Sequence, residues 1–370
     1  MKAISTGNRY VIYDDTLKTY DKLPAKTYAI RLDPSSGLYL EARPDFVIGE
    51  KVYGVHLEKV DKILRSFGQF TRSLGVILSG DKGIGKSLFA KLLSISAVEH
   101  GLPVIIVDRF IPGIASYLES IAQEALVLFD EFDKTFARET SEFGEGRDPQ
   151  TELLTLFDGM VIGKKLYVVT CNELRGLNEY LVNRPGRFHY HFRFDYPSAA
   201  EVREYLSDKL EGACNEEIEK VVIFASKVNL NYDCLRAIAF ELGNGAAFEE
   251  AIQDLNILNL SETQYTVTLH FTNGKALTTN TRSLNLFDAE QVQEVDFYQD
   301  GGKWIKAAFS TSQCLCDVKN GMTIVPASAL TVQKSGDVFE NATYPMDGGL
   351  VPARMTITRT TERSLHYAAA

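Results

Sequence analysis

The fold is decided by the stretch Val76-Ile77-Leu78-Ser79-Gly80-Asp81-Lys82-Gly83-Ile84-Gly85-Lys86-Ser87. Its first three residues are apolar and predict a short buried strand. The apolar spacing from Leu88 to Val98 predicts a helix that ends at His100-Gly101. Between strand and helix, the turn fits the pattern G-x-x-x-x-G-K-[ST] at each fixed position.

This turn has the chemistry of a triphosphate site. Its glycines let successive backbone N–H groups surround phosphate oxygens, and the helix N-terminus adds a partial positive charge. We expect Lys86 to neutralise the β- and γ-phosphates and the Ser87 hydroxyl to bind Mg²⁺. The predicted nucleotide-binding residues of this turn are Gly80, Asp81, Lys82, Gly83, Ile84, Gly85, Lys86, Ser87 and Leu88.

Three further apolar runs predict more strands of the same sheet: Pro103–Val107, Leu126–Phe129 and Leu166–Thr170. Helical segments separate them. Runs that are apolar on both faces are typical of a parallel sheet covered by helices on both sides. The sequence therefore predicts an α/β fold.

Polar residues follow two of these strands, at the sheet edge where α/β proteins bind their ligands. Asp130 would hold Mg²⁺ beside Ser87, and Glu131 would orient the attacking water. Asn172 would hydrogen-bond the γ-phosphate or that water, although an asparagine in this position can also simply form a turn. Glu131 and Asn172 are therefore predicted catalytic residues.

Two arginines straddle a turn in Asn183-Arg184-Pro185-Gly186-Arg187-Phe188. The Pro-Gly turn predicts that both side chains are exposed. Arg184 and Arg187 would then be catalytic as arginine fingers, which stabilise transition-state charge and are often supplied by a neighbouring subunit. The alternative is a pair of ordinary surface arginines in a loop.

The order of these motifs resembles the AAA+ superfamily: Walker A at the glycine-rich turn, Walker B at Asp130-Glu131, sensor 1 at Asn172, and then arginine fingers and a helical lid. The arginine stretch and Leu153–Gly159 resemble the narrower AAA clade. The resemblance covers about Val47 to Gly243. In general style the chain is also similar to phage-encoded ATPases with a single AAA+ core.

This resemblance implies a P-loop core that binds ATP and Mg²⁺ and assembles into a homo-oligomeric, hexameric ring. It implies that Val52, Tyr53 and Gly54 hold the adenine, although a core aromatic is an equal reading of Tyr53. Arg236 lies near the sensor 2 position of the lid, or is a surface helix arginine. The string Phe110-Ile111 lies where polymer-threading members carry a pore loop, or forms a buried turn.

Four domains are predicted along the chain: a β-rich N-terminal segment (1–49), the α/β nucleotide-binding core (50–196), a helical lid (197–260) and a small C-terminal β domain (261–370). Pro197-Ser198 marks a helix start, and Asn273-Gly274 marks a hairpin turn in the last domain. The resemblance does not extend to the first or last of these domains.

Bulk composition narrows the function classes. The net charge of -10 argues against coating nucleic acid by bulk attraction. The five cysteines include no C-x-x-C pair, so neither a disulfide framework nor a zinc site is predicted. The chain starts without an apolar signal-peptide core and has no apolar run long enough to span a bilayer, which predicts a cytoplasmic protein with no membrane partner.

The predicted function is an ATP-hydrolysing ring motor that remodels or translocates a macromolecule, with protein favoured over nucleic acid as the substrate. Two alternatives stay open. One is a nucleic-acid motor or replication factor, because the aromatic and basic residues of the C-terminal region also suit single strands. The other is an assembly scaffold that uses nucleotide only to switch the state of its ring.

Overall fold

The computed structural model describes residues 1–6, 8–49, 51–53, 56–137, 148–158, 163–182, 184–210, 215–255, 257, 264–287, 291–298, 304–317, 319–334 and 351–360. The chain forms two compact units, Met1–Asp195 and Tyr196–Ala370. Within the described ranges, every helix is too short or too polar to cross a bilayer.

The first unit is built around one large sheet. The strands described in this unit are, in chain order, β1 (Lys2–Thr6), β2 (Arg9–Tyr13), β3 (Thr27–Asp33), β4 (Gly37–Arg43), β5 (Leu74–Ser79), β6 (Val104–Val107), β7 (Ala125–Phe129), β8 (Lys165–Cys171) and β9 (Tyr190–Arg193). Seven of them pair in the order β4-β3-β6-β7-β8-β5-β9, and all neighbours from β3 to β9 are parallel. Every residue of β5, β7 and β8 is buried. The predicted parallel sheet with flanking helices is confirmed.

The helices described in this unit are α1 (His56–Gln69), α2 (Lys86–Glu99), α3 (Ile114–Ser120), α4 (Phe132–Thr135), α5 (Pro149–Glu152) and α6 (Leu154–Phe157). Phe129, the last residue of β7, lies at the centre of an aromatic cluster. Its ring centroid lies 5.7 Å from those of Phe132 and Phe136 and 5.5 Å from that of Phe157. All four rings are almost completely buried, so the cluster fixes the point where β7 ends and its polar residues begin.

The predicted N-terminal segment (1–49) is divided between two sheets. Strands β1 and β2 form a separate antiparallel pair. Strand β3 joins the large sheet, where Thr27 pairs with Val104 and Ala29 with Ile106, and it carries β4 as an antiparallel edge strand. Local alternation predicts these strands, but only the distant pairing with β6 assigns them to the core sheet. That sheet therefore extends beyond the predicted boundary at residue 50.

The second unit combines helices with two antiparallel sheets. Its described helices are α7 (Ala199–Lys209), α8 (Asn215–Lys227), α9 (Tyr232–Gly243) and α10 (Phe248–Asp254). Its described strands are β10 (Tyr265–Phe271), β11 (Ala276–Thr281), β12 (Val292–Tyr298), β13 (Trp304–Ser310), β14 (Leu315–Asp317), β15 (Met322–Pro326), β16 (Thr331–Lys334) and β17 (Pro352–Arg359). One sheet has the order β11-β10-β17-β15-β14 and the other β12-β13-β16.

Burial alternates along β10, β12 and β13, so each strand buries one face in a shared apolar core. The hairpin predicted at Asn273-Gly274 is confirmed, since β10 and β11 pair around it. The helical part contacts the β part directly. Tyr265 donates its hydroxyl hydrogen to the Lys227 carbonyl oxygen at 3.0 Å, and Arg359 Nη1 donates to the Val228 carbonyl oxygen at 2.7 Å.

Lys165 is a fully buried charged residue at the start of β8. Its Nζ donates to the backbone oxygens of Ile121, Gln123 and Gly163 at 2.6, 2.9 and 2.8 Å. Burial lowers the pKa of Lys165 to about 8, and the nearby Glu124 carboxylate partly opposes this. The ammonium group thus ties the segment before β7 to the amino end of β8.

We predict that Lys165→Met lowers the free energy of unfolding of the first unit by about 2–4 kcal/mol, because three carbonyl oxygens around a buried side chain lose their donor. Methionine keeps most of the side-chain volume. The exposed Lys91 of α2 provides the matched control, and Lys91→Met should leave stability unchanged.

The measurement is urea-dependent proteolysis with fragments mapped to 1–195, because the chain's one tryptophan, Trp304, lies in the second unit. Equal urea midpoints for the two variants would show that the Lys165 hydrogen bonds contribute nothing to stability.

Candidate active site

The glycine-rich turn lies at the carboxyl end of β5 and leads directly into α2. Gly80 has φ 137°, and a Cβ there would lie 2.4 Å from the Phe194 carbonyl oxygen, so only glycine fits. Gly85, with φ 102°, precedes the first helical residue of α2. The free N–H groups at the start of α2 therefore follow the turn directly, which is the arrangement that binds phosphate groups.

Lys86 is a buried cation whose Nζ is directed into this turn. It donates to the backbone oxygens of Gly80 and Asp81 and lies 3.1 Å from Asn172 Oδ1. Burial lowers the pKa of Lys86 from its ordinary value, while neighbouring acidic groups, including the Asp81 and Asp133 carboxylates, act in the opposite direction. The ammonium group is therefore held where a phosphate oxygen could replace one of its acceptors.

The other residues predicted to bind nucleotide in this turn differ in exposure. Asp81, Lys82 and Ser87 are exposed, and Gly83 and Leu88 are half-buried. Ile84 is buried and packs close to Gly80. The turn thus presents polar groups to solvent and anchors itself through one apolar side chain.

Asp130 and Glu131 follow β7 directly. Glu131 has φ 46°, and among the described residues it is the one non-glycine with a positive φ. Its N–H donates to Thr170 Oγ1 at 2.8 Å, and the same hydroxyl donates to Asp130 Oδ1 at 2.7 Å. The Glu131 side chain is about half exposed, and Lys134 Nζ, 2.6 Å from Oε1, lowers the pKa of Glu131. Glu131 is therefore a carboxylate at neutral pH.

Asn172 follows β8, the strand between β7 and β5. Its backbone N–H donates to Asp133 Oδ2 at 3.0 Å, and the N–H of Glu173 donates to the same oxygen at 3.3 Å. The other oxygen, Asp133 Oδ1, is buried and has no hydrogen-bond partner among the described residues. The carboxylate of α4 thus holds the loop that places the Asn172 amide beside Lys86.

Thr170 and Asp133 were not among the residues predicted from the sequence. Asp133 could have been recognised as a further carboxylate two residues after the predicted Asp130-Glu131 pair. Thr170 could have been recognised as a hydroxyl near the end of an otherwise apolar strand, since such a group needs a partner when it is buried. Neither signal identifies the partner, which depends on strand order.

The predicted Mg²⁺ ligands fit the chemistry of that ion. Mg²⁺ prefers hard oxygen donors and keeps several waters, so few protein ligands are needed. The Asp130 carboxylate is oriented by Thr170, and the Ser87 hydroxyl is exposed in the first turn of α2. Hence Ser87 and Asp130 are suitable to hold Mg²⁺.

The two arginines of the predicted finger motif differ in environment. Arg184 is exposed, as predicted. The expectation of exposure is wrong for Arg187, which is 8% exposed. Its guanidinium pairs with both carboxylate oxygens of Asp158, with Nη2 2.7 Å from Oδ2, and Nη1 donates to the Tyr180 carbonyl oxygen at 2.7 Å. This paired, bidentate geometry explains how the charge is buried.

The loop of residues 184–188, here called the arginine loop, lies at the opposite end of β5 from the glycine-rich turn of the same chain. The Arg187 carbonyl oxygen lies at the amino end, where it approaches Gly75, and His189 N donates to the Gly75 oxygen at 2.9 Å. Gly80 lies five residues further along, at the carboxyl end, which corresponds to roughly 16 Å of strand. The structure therefore brings Lys86, Asn172, Asp130 and Glu131 together at the carboxyl ends of the central strands. The arginine loop lies at the amino end of β5.

The predicted adenine contacts are only partly described. Tyr53 is 7% exposed, and Lys51 Nζ lies 5.2 Å from its ring centroid, which favours a packing role for the ring. Val52 is half-buried, and Gly54 lies outside the described residues. Arg236 belongs to α9 of the second unit. Its side chain is exposed, and its Nη1 lies 3.6 Å from Asp233 Oδ1. Its sensor 2 role stays a prediction.

The predicted pore-loop string is packed into the first unit. Ile111 is 6% exposed, and the half-buried Phe110 contacts Phe136 edge to face with centroids 5.9 Å apart. These contacts favour the buried turn over an exposed loop.

Comparison with known proteins identifies the region that carries this site. Residues 76–196 match the family model "ATPase family associated with various cellular activities (AAA)". An ATP-dependent zinc metalloprotease, FTSH 11 of Arabidopsis thaliana, is 24% identical over 269 residues, which are 68% of this chain and 32% of that protein. FTSH 9 of Oryza sativa subsp. japonica is 28% identical over 174 residues, or 41% of this chain and 22% of the relative.

The ATPase family gene 2 protein of Schizosaccharomyces pombe is 26% identical over 153 residues, which cover 38% of this chain and 19% of that protein. The chain thus spans about a third or less of the length of these relatives. The matched region contains the candidate site from Gly80 to Arg187. This match confirms the predicted AAA+ resemblance, since residues 76–196 form a domain of the AAA ATPase family.

Proposed function

We propose that the chain is a Mg²⁺-dependent ATPase that works as a homo-oligomeric, hexameric ring and uses ATP hydrolysis to remodel or translocate a macromolecule, with protein favoured. The observation that carries this proposal is the meeting of Lys86, Asn172 and the Asp130-Glu131 pair at one edge of the sheet. The nucleotide-binding residues are those of the glycine-rich turn.

Phosphate binding would use groups that are already in place. The backbone N–H groups from Gly83 to Ser87 surround the β-phosphate, and the Lys86 ammonium exchanges a backbone oxygen for a phosphate oxygen. Ser87 and Asp130 would hold Mg²⁺, which neutralises phosphate charge when it is bound. Because Lys86 is buried, its attraction to phosphate is screened less than that of a surface lysine.

Hydrolysis needs a water molecule placed in line with the bond that breaks. The Glu131 carboxylate accepts a hydrogen bond from that water, whose oxygen attacks the γ-phosphorus while the bond to the β–γ bridging oxygen breaks. The proton of the water passes to Glu131 or to the departing phosphate. Lys86 and the Asn172 amide stabilise the charge on the γ-phosphoryl oxygens.

The remaining charge would be met by Arg184 of a neighbouring subunit. Within one chain the arginine loop lies at the opposite end of β5 from the glycine-rich turn, beyond the reach of an arginine side chain. Arg184 is exposed, whereas Arg187 is committed to Asp158. We therefore assign the direct contact in trans to Arg184, and to Arg187 the support of the loop that carries it.

Protein is favoured as the substrate for two reasons. The net charge of -10 disfavours a nucleic-acid motor that relies on bulk attraction. Two of the relatives are named as ATP-dependent proteases. The zinc metalloprotease activity in those names is not part of the proposal, since none of the six histidines is followed by glutamate as H-E-x-x-H requires.

A second candidate is the nucleotide-switched assembly scaffold. It is favoured by the packing of Phe110 on Phe136 and by the burial of Ile111, because side chains that grip a threaded polymer need to be exposed. ATP binding and hydrolysis are common to both candidates, so the tests below apply to either.

We predict that Glu131→Gln lowers kcat for ATP hydrolysis by about 100-fold or more and changes ATP affinity little, because the amide cannot take the proton of the attacking water. Lys86→Ala is the matched control and should instead weaken ATP binding itself. Single-turnover hydrolysis and equilibrium binding of labelled ATP separate the two effects. If Lys86→Ala binds and hydrolyses ATP like the wild type, the proposed site is wrong.

We predict that Arg184→Ala lowers kcat by about 1000-fold, because the γ-phosphoryl loses its cation from the neighbouring subunit. Mixing this variant with Glu131→Gln should restore activity. In a random mixture, one interface in four combines an intact Glu131 with an intact Arg184, so about a quarter of the wild-type rate is expected.

A chain that carries both changes is the control for mixing, since with Glu131→Gln it forms no intact site. Activity that stays at the level of the two separate variants would exclude action in trans. Arg187→Ala should differ in kind, because it leaves the Asp158 carboxylate without its partner and lowers the melting temperature.

A further inference from the structure

Thr170 is a buried hydroxyl that contacts both acidic residues of the candidate site. It is 2% exposed and lies in β8, every residue of which is buried. Its Oγ1 donates to Asp130 Oδ1 at 2.7 Å and accepts the N–H of Glu131 at 2.8 Å. The hydroxyl therefore donates its hydrogen to Asp130 and accepts a hydrogen bond from Glu131, the two residues that follow the neighbouring strand β7.

This contact follows from strand register. Strands β7 and β8 are parallel neighbours, and Phe129 pairs with Val169 at the carboxyl end of their ladder. The next residues along the two strands are Asp130 and Thr170. A hydroxyl at this position consequently lies beside the carboxylate, whereas an apolar residue would leave two polar groups of the turn without this partner.

The backbone of Glu131 adds a second observation. With φ 46° and ψ 49° it occupies the left-handed region, which is unfavourable for a residue with a Cβ. A residue held in this way needs surrounding contacts that determine it, and such residues cluster at functional sites. The hydrogen bond from Glu131 N to Thr170 is one such contact, and it acts on the peptide group that sets the direction of the Glu131 side chain.

We propose that Thr170 is a positioning residue for ATP hydrolysis, which sets the orientation of the Asp130 carboxylate and the backbone conformation of Glu131 together. The inference rests on the proposed ATPase function and deepens it. Thr170 does not contact nucleotide in this scheme. It acts through Asp130, which would hold Mg²⁺, and through Glu131, which positions the attacking water. Its loss therefore affects the chemical step and the Mg²⁺ dependence more than ATP binding.

The test is Thr170→Val, which keeps the shape of the side chain and removes the hydroxyl. We expect kcat to fall by about 10- to 100-fold, as is typical when a partner of metal-binding groups is lost. The Mg²⁺ concentration for half-maximal activity should rise, and ATP binding in EDTA should stay within a factor of about three of the wild type, because the glycine-rich turn is unchanged. Thr170→Ser retains the hydroxyl and should restore most of the activity.

The chain supplies a matched control in Thr27. This residue is 1% exposed and lies in β3 of the same sheet, but its hydroxyl has no hydrogen-bond partner in the part of the chain that the structure describes. Thr27→Val makes the same chemical change in a buried strand and should leave kcat unchanged. It corrects for any general effect of removing a hydroxyl from the sheet.

Amide hydrogen exchange of the nucleotide-free protein gives a readout that is independent of turnover. Thr170→Val should accelerate exchange at the Glu131 amide by at least about tenfold, because its acceptor is lost, and Thr27→Val should not. Wild-type kcat and wild-type exchange in Thr170→Val would overturn the inference. Absence of ATPase activity in the wild type itself would instead refute the proposed function.

Discussion

The hydrogen bond between Lys86 Nζ and Asn172 Oδ1 joins the start of α2 to the end of β8, and the candidate site depends on this meeting. The two residues are 86 positions apart in sequence. They come together because β5 and β8 are parallel neighbours in register, with Ser79 opposite Cys171. The order of the central strands therefore brings the polar residues of the candidate site together. Each of these residues follows an apolar strand, and the packing of that strand determines where the residue lies.

This arrangement requires a buried cation beside the glycine-rich turn. Removal from water is unfavourable for the charged form of Lys86, and its pKa is therefore lowered by burial. Two backbone oxygens and the Asn172 amide compensate in part by accepting from the ammonium. Bringing a polyphosphate to this cation replaces neutral acceptors with anionic ones in a poorly solvated place. The unfavourable burial of the Lys86 ammonium thus favours the binding of an anion beside it.

Much of the fold and of the site was predictable from the sequence because the signals are local. The apolar runs from Val76 to Leu78 and from Leu126 to Phe129 predict buried strands, and the residues that follow them fit known motif spacings. The burial of Arg187 was not predictable in this way. A Pro-Gly turn usually exposes its neighbours, but the Asp158 carboxylate lies 29 residues away and reaches the guanidinium only in the folded chain.

The same limit applies to Thr170 and to β3. A threonine is an ordinary strand residue, and its contact with Asp130 exists only because β7 and β8 are neighbours. Likewise, the pattern around Tyr28 predicts a strand but contains no information about pairing with β6. Local sequence predicts which residues are apolar, charged or turn-forming. Partners across the sheet depend on strand order, which the central apolar runs leave open.

The direction of the strands determines where the arginine loop lies relative to the candidate site. In a parallel sheet all carboxyl ends lie at one edge, so the residues after β5, β7 and β8 meet there. The loop before β9 necessarily lies at the other edge, because β9 is parallel to β5. Under the proposed function, one chain could not bring its exposed Arg184 to its own glycine-rich turn, because the two lie at opposite ends of the strands. A neighbouring copy that presents Arg184 to the phosphate-binding edge would make hydrolysis depend on assembly.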